Sequence, residues 1–269
     1  MSSAHMEALV LREDLGEGVA RVTLNRPAKR NAMSRAARTE LLDTLDALHG
    51  AAKVIILTGN GPAFCSGVDL KESGEEGMDA DDTPEGRRTS WAAVQEKIRA
   101  HPAVVIAAVN GYALGGGLTL INSSDLAIAA EDAPIGMPEV GFGLYPSLAG
   151  PSTQLRLGPK RAAWMVLTAD RISGATAAEW GLVNQAVPAE RLADAALELA
   201  RRIAGFDAVT LTWSKRALHE IPMHISDWTN AIQYGQDVRV QIQARTDVLS
   251  DGNATYRRAV NKPAQDARP

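Results

Sequence analysis

An α/β fold with a parallel-stranded interior and a helical C-terminal region is predicted from three features of the sequence. Val54–Leu57 and Val104–Val109 are short, unbroken apolar runs, the pattern of strands buried on both faces. The second run leads through a glycine-fronted helix to a third, Leu126–Ala129, so strand and crossover alternate as parallel pairing requires. Beyond Pro146 the pattern is almost entirely helical.

Taken in order, Ala8–Leu11 and Val19–Leu24 read as short strands. Ser34 is a good N-cap for a helix whose Leu41, Leu42, Leu45 and Leu48 recur at helical spacing, and Gly50 stops it. Thr58-Gly59-Asn60-Gly61-Pro62 ends the first buried strand. Residues 72–82 carry six acids and no base, which predicts a solvated loop. The later helices fall at Arg161–Thr168, Ala175–Trp180, Arg191–Ile203, Val209–His219 and Ser226–Leu249. No fixed-period repeat or long linker divides the chain. One unit is expected, with a core over residues 8–200 and a helical lobe over 201–265 used for packing or assembly.

Composition narrows the function. With 269 residues, 45% hydrophobic and 22% charged, the chain has the apolar content of a folded globular protein. A net charge of −4 supplies no basic footprint for nucleic acid. Residues 103–124 carry no charge, but Asn110, Tyr112 and three consecutive glycines make them strand, turn and helix, not a membrane span. Cys65 is the only cysteine, so no internal disulfide or multi-thiolate metal site can form. The five histidines show no ligand spacing, and no metal is expected. The opening residues lack a charged segment followed by an apolar run, so the reading is cytoplasmic, with Met6 a candidate start.

Nucleotide fingerprints fail: the segment Gly111–Gly117 has neither dinucleotide-binding spacing nor the Lys-Ser/Thr of a P-loop, and no nucleophile elbow occurs. Two glycine-containing turns stand out instead, Ala63–Leu70 and Asn110–Gly117, each after a buried strand. Three glycines opening a helix leave backbone N–H groups unpaired at its positive end, which suits an oxyanion, though close helix–strand packing explains them equally. Glu139 is the only charged residue between Ala133 and Ala149. A carboxylate in such a run is desolvated and titrates high, in the range useful for proton transfer; an exposed loop glutamate is the plain alternative.

These residues resemble the signature of the crotonase superfamily, the enoyl-CoA hydratase/isomerase family. The resemblance rests on VIAAVNGYALGGG (Val105–Gly117), SDLAIA (Ser124–Ala129) and Pro138-Glu139. NRPAKRNAM (Asn25–Met33), FCSGVDL (Phe64–Leu70) and AAEWGLV (Ala177–Val183) extend it over roughly residues 8 to 260. It implies a spiral of ββα turns, two near-perpendicular sheets ringed by helices, and a C-terminal helical region that makes trimers or dimers of trimers. It also implies an acyl-CoA substrate, no cofactor beyond that coenzyme A, and a thioester enolate held by the backbone N–H groups of Val68 and Gly116. By position Lys29 and Arg30 approach the coenzyme A phosphates and adenine, and Ser66, Gly67, Asp69 and Leu70 line the same pocket.

The sequence departs from the family's two-glutamate hydratases. The first glutamate falls at Thr119, while the second is kept as Glu139. A threonine can orient water but cannot exchange a proton near neutral pH. One-base Δ3,Δ2-enoyl-CoA isomerisation through Glu139 therefore ranks first. Hydration with Thr119 in the first glutamate's place, a hydroxycinnamoyl-CoA hydratase-lyase with Tyr234 as a loose tyrosine candidate, and a non-catalytic acyl-CoA binder remain open. Ser147 stands where dienoyl isomerases place an acid. Trp91, Leu114 and Leu144 are candidates for the acyl pocket, with core packing the plainer role for each.

Overall fold

The computed structural model describes residues 8–69, 83–225 and 227–246. The larger of two sheets orders its six strands β1 (Val10–Asp14), β2 (Val19–Leu24), β3 (Val54–Gly59), β5 (Val104–Val109), β7 (Leu126–Ala130) and β10 (Gln185–Val187). Only β1 and β2 pair antiparallel; every other neighbour is parallel. The smaller sheet runs β4 (Ala63–Cys65), β6 (Tyr112–Leu114), β8 (Ile135–Gly136) and β9 (Arg171–Ile172), the first three parallel and β9 antiparallel to β8.

Successive strands alternate between the sheets: β3 leads to β4, β5 to β6 and β7 to β8, each short strand then giving way to helix. These are the ββα turns of the spiral. They begin at residues 54, 104 and 126, so the structural repeat has no fixed sequence period. Helices α1 (Arg35–Ala47), α2 (Pro84–Arg88), α3 (Trp91–Ala100), α4 (Gly116–Ser123), α5 (Ala149–Gln154), α6 (Pro159–Thr168) and α7 (Gly174–Trp180) surround the sheets. The chain closes with α8 (Leu192–Ala204), α9 (Ala208–His224) and α10 (Trp228–Gln243).

Local chemistry accounts for the framework. Ser34 caps α1 by accepting from the Ala37 N–H at 3.2 Å, and Leu41 and Leu45 turn into the core. β5 is buried along its whole length, as its unbroken apolar run predicts. α8 sets Ala196, Ala200 and Ala204 one turn apart and buried, so it lies close to the large sheet; it passes residue 200 without interruption.

Several elements differ from expectation. The region beyond Pro146 is not wholly helical, because β9 and β10 each complete a sheet; with two and three residues, neither is long enough to show alternation. β1 is displaced to Val10–Asp14, where pairing with β2 carries a charged edge strand. α9 continues through Pro222 to His224, and α3, capped by Ser90, adds a helix to those expected. The acidic residues 72–82 lie outside the described residues. No helix among the described residues is long and apolar enough to cross a membrane.

Candidate active site

Parallel pairing of β4, β6 and β8 brings three chain segments together where these short strands end. Cys65 aligns with Ala113, and Leu114 aligns with Gly136, so the turns that follow leave the sheet side by side. Gly115 donates its N–H to the Gly136 carbonyl at 3.0 Å, fixing the third segment against the second.

The first turn is pinned from below. Asn31, buried and in left-handed conformation (φ +56°), donates to the carbonyls of Asn60 (3.0 Å) and Ala63 (2.7 Å) and accepts from the Arg26 N–H. Met33 then bridges Val68 in parallel: its N–H donates to the Gly67 carbonyl at 2.8 Å, and its carbonyl accepts from Asp69 at 3.3 Å. That register leaves the Val68 N–H facing the other way. Among the described residues it has no acceptor, and neither does the N–H of Gly116, the first residue of α4. Both residues are only part-buried.

Glycine is required where these turns meet. A Cβ on Gly67 (φ +93°) would lie 3.0 Å from the Gly116 nitrogen and 2.9 Å from the Leu114 carbonyl oxygen. One on Gly115 (φ +52°) would lie 2.6 Å from Glu139 Oε1. Glu139, at the start of a 3₁₀ turn three residues past β8, thus rests its carboxylate directly over Gly115. Its Oε2 is buried without a hydrogen-bond partner among the described residues. Burial pushes the carboxyl above the usual glutamate range, offset only in part by its own backbone N–H.

Thr119 is fully buried one turn into α4. Its hydroxyl donates to the Gly116 carbonyl at 2.6 Å and accepts from the indole N–H of Trp91, the first residue of α3. The hydroxyl is thus committed to protein partners on both its donor and acceptor sides. Trp91 was expected in the core, and so it lies, but no sequence signal joins it to Thr119.

The remaining predicted residues separate. Lys29 and Arg30 are exposed, and the Arg30 guanidinium sits 5.3 Å from the centre of the Tyr112 ring, which Arg171 approaches at 5.7 Å. The Ser66 N–H donates to the Arg30 carbonyl at 3.0 Å, tying this basic loop to the first turn. Asp69 is held by Arg26 in a 3.0 Å ion pair. Leu70 lies outside the described residues. Leu114 is buried, Leu144 and Ser147 are exposed, and Tyr234 is half-buried on α10. Among the described residues no cluster of histidine, cysteine and carboxylate side chains could hold a metal.

Two unpaired N–H groups beside one desolvated carboxylate can receive a developing oxyanion and exchange a proton with the adjacent carbon. Comparison with known proteins shows the family of the chain that carries it. A family model described as enoyl-CoA hydratase/isomerase matches residues 14–248. The chain belongs to the enoyl-CoA hydratase/isomerase family. Among relatives of this crotonase-type enzyme, it is 35% identical over 214 residues to the hydroxycinnamoyl-CoA hydratase-lyase of Pseudomonas fluorescens, covering 76% of each chain. It is 36% identical over 204 residues to the 2,3-dehydroadipyl-CoA hydratase of Escherichia coli K12, covering 74% of this chain and 77% of the relative. The solved enoyl-CoA hydratase of Mycobacterium smegmatis superposes with a TM-score of 0.86 at 28% identity, over 94% of this chain and 97% of the other. Human enoyl-CoA hydratase domain-containing protein 3 gives 0.84 at 31% identity, over 95% and 99%.

Proposed function

We propose that this family enzyme is a one-base enoyl-CoA isomerase. Glu139 removes a proton from C2 of a 3-enoyl-CoA, and the electron pair moves onto the thioester oxygen. The backbone N–H groups of Val68 and Gly116 hold that enolate oxygen. Glu139 then returns the proton at C4, which yields the conjugated 2-enoyl thioester with atoms and charge balanced. The observation that carries this reading is the commitment of the Thr119 hydroxyl to Trp91 and Gly116. It leaves Glu139 as the proton-exchanging group and withholds the hydroxyl from water.

Lys29 and Arg30 approach the coenzyme A phosphates in this reading, and Ser66, Gly67, Asp69 and Leu70 shape the neighbouring wall. Exposed Leu218, Trp228 and Ile232 on α9 and α10 support assembly of trimers through the helical region, which sedimentation would test.

Mixing enzyme with a 3-enoyl-CoA in deuterated water tests the proposal. The conjugated thioester band should grow, with deuterium entering C4 to the extent that Glu139 exchanges with solvent. Loss of that band from a 2-trans-enoyl-CoA, abolished by Glu139→Gln, would establish hydration instead. Hydroxycinnamoyl-CoA cleavage is the second reading. It is favoured by the 35% identity to the Pseudomonas hydratase-lyase, and release of an aromatic aldehyde would establish it.

A further inference from the structure

We infer that Trp91 is a positioning residue for the Gly116 donor, acting through Thr119. The inference rests on the oxyanion role given to Gly116 above and names what holds that group in place.

Gly116 has no room for a side chain. A Cβ there would lie 2.6 Å from Trp91 Cζ2 and 3.2 Å from the Cα of Gly67, so the indole and the turn that carries Val68 share the space a side chain would need. The same indole directs its N–H to Thr119 Oγ1, and the Thr119 hydroxyl proton is directed to the Gly116 carbonyl. Two hydrogen bonds in series thus fix the first turn of α4, and the ring packs against Gly116 where that turn begins. Trp91 is itself anchored. It follows Ser90, which caps α3 by accepting from Ala93 at 3.1 Å, and Thr89, whose carbonyl accepts from buried Arg38 at 2.7 Å. Arg38 also reaches the carbonyl of Met33, the residue that bridges Val68, at 3.5 Å. One buried guanidinium therefore supports both donor turns from behind.

This network explains why a tryptophan, and not merely a large apolar residue, is built into the N-terminus of α3. Phenylalanine would keep an apolar ring at this position but would leave Thr119 without its donor. Buried polar networks of this kind hold a site to within the fraction of an ångström that electrostatic catalysis needs.

The test uses a cinnamoyl-CoA bearing an electron-donating ring substituent, whose absorbance shifts to longer wavelength when its thioester carbonyl is polarised. With saturating full-length enzyme, wild type and Glu139→Gln should both shift the band, because neither alters the donors. Trp91→Phe and the near-isosteric Thr119→Val should lose at least half of the shift and lower kcat about tenfold, a fraction of the roughly 10²–10³ that follows removal of a whole donor. KM should stay within about twofold, since a positioning effect falls on the transition state. Thr119→Ser, which keeps the hydroxyl, should restore both readouts. A full shift in Trp91→Phe and Thr119→Val would overturn the role of Trp91 while leaving the oxyanion reading intact. No shift in wild type would overturn the oxyanion reading itself, and this inference with it.

Discussion

Two carboxylates, Asp125 and Glu139, lie fourteen residues apart and both leave bulk water, yet the fold treats them in opposite ways. Asp125 is surrounded by donors. Its Oδ2 faces Lys215 Nζ at 2.8 Å and accepts from the Val105 N–H at 2.7 Å, and its Oδ1 faces His219 Nε2 at 3.0 Å. Lys215 spends its other protons on the carbonyls of Ile98 (3.0 Å) and Ala103 (2.9 Å). Burial pulls the Lys215 pKa down and the Asp125 charge opposes it. This cluster ties α9 to the ends of α3 and β7. Glu139 has a buried oxygen, Oε2, with no hydrogen-bond partner among the described residues. The comparison separates a carboxylate that holds structure from one that, in the function proposed above, is kept reactive: a filled set of donors lowers the free energy of the charge, and an unfilled one leaves it available to a proton.

Removing the reactive member should have the largest effect. Glu139→Gln is expected to cost about 10²–10⁴ in kcat, the usual worth of a positioned base. Thermal stability should hold or rise, because the charge that is lost is a desolvated one. A melting temperature that falls along with the rate would make Glu139 structural and erase the contrast. The pH profile sharpens the same point. The base form is the active one and burial raises its pKa, so kcat/KM should decline as pH falls, with a midpoint above the ordinary glutamate value. An acid limb at or below that value would mean that the carboxylate is solvated during turnover.

For the structural member, Lys215→Met takes the lysine away from Asp125, leaving the carboxylate His219 and the Val105 N–H, and should cost about 3–5 kcal/mol in denaturant unfolding. Adding Asp125→Asn should recover part of that loss; no recovery would mean that Lys215 acts through its carbonyl bonds alone. Next in size, Gly115→Ala places a methyl 2.6 Å from Glu139 Oε1 and forces a positive φ on alanine. Displacing the base by even about 1 Å should reduce kcat about 10²-fold, with a stability loss on the order of 1 kcal/mol. Smallest of all, Glu17→Ala removes an exposed 3.4 Å pair with Arg201 and should change stability by less than about 1 kcal/mol. It calibrates the larger numbers.

Much of this contrast was legible in the sequence, but unevenly. The long buried strands announced themselves as apolar runs, and α1 by its cap and leucine spacing. The short strands of the second sheet did not, since two or three residues carry no period; the glycines that follow β4 and β6 drew attention in their place. Glu139 was visible as a lone charge in an apolar stretch, and its desolvation followed from that. Asp125 lay within a quoted motif, yet its partner Lys215 is 90 residues further on, and only the packing of α9 joins them. Thr119 could be read only as a hydroxyl free to orient water. Its commitment depends on Trp91, 28 residues earlier, on a helix whose Ser90 cap and Trp91, Val94 and Ile98 spacing are present in the sequence but say nothing of Thr119.

Cys65 closes β4 two residues before Gly67, whose N–H points at its sulfur from 3.4 Å. Complete burial lifts the thiol to about 12, so at neutral pH almost no thiolate forms in the folded chain. A thiol-specific reagent can then modify the protein only during excursions in which β4 parts from β6 and the donor turn comes undone. The labelling rate, compared with that of an unstructured thiol, becomes a clock for those openings, carried by a natural atom and requiring no engineered probe. Bound ligand that slowed the clock would report, without any turnover, that it had closed its grip on the turn.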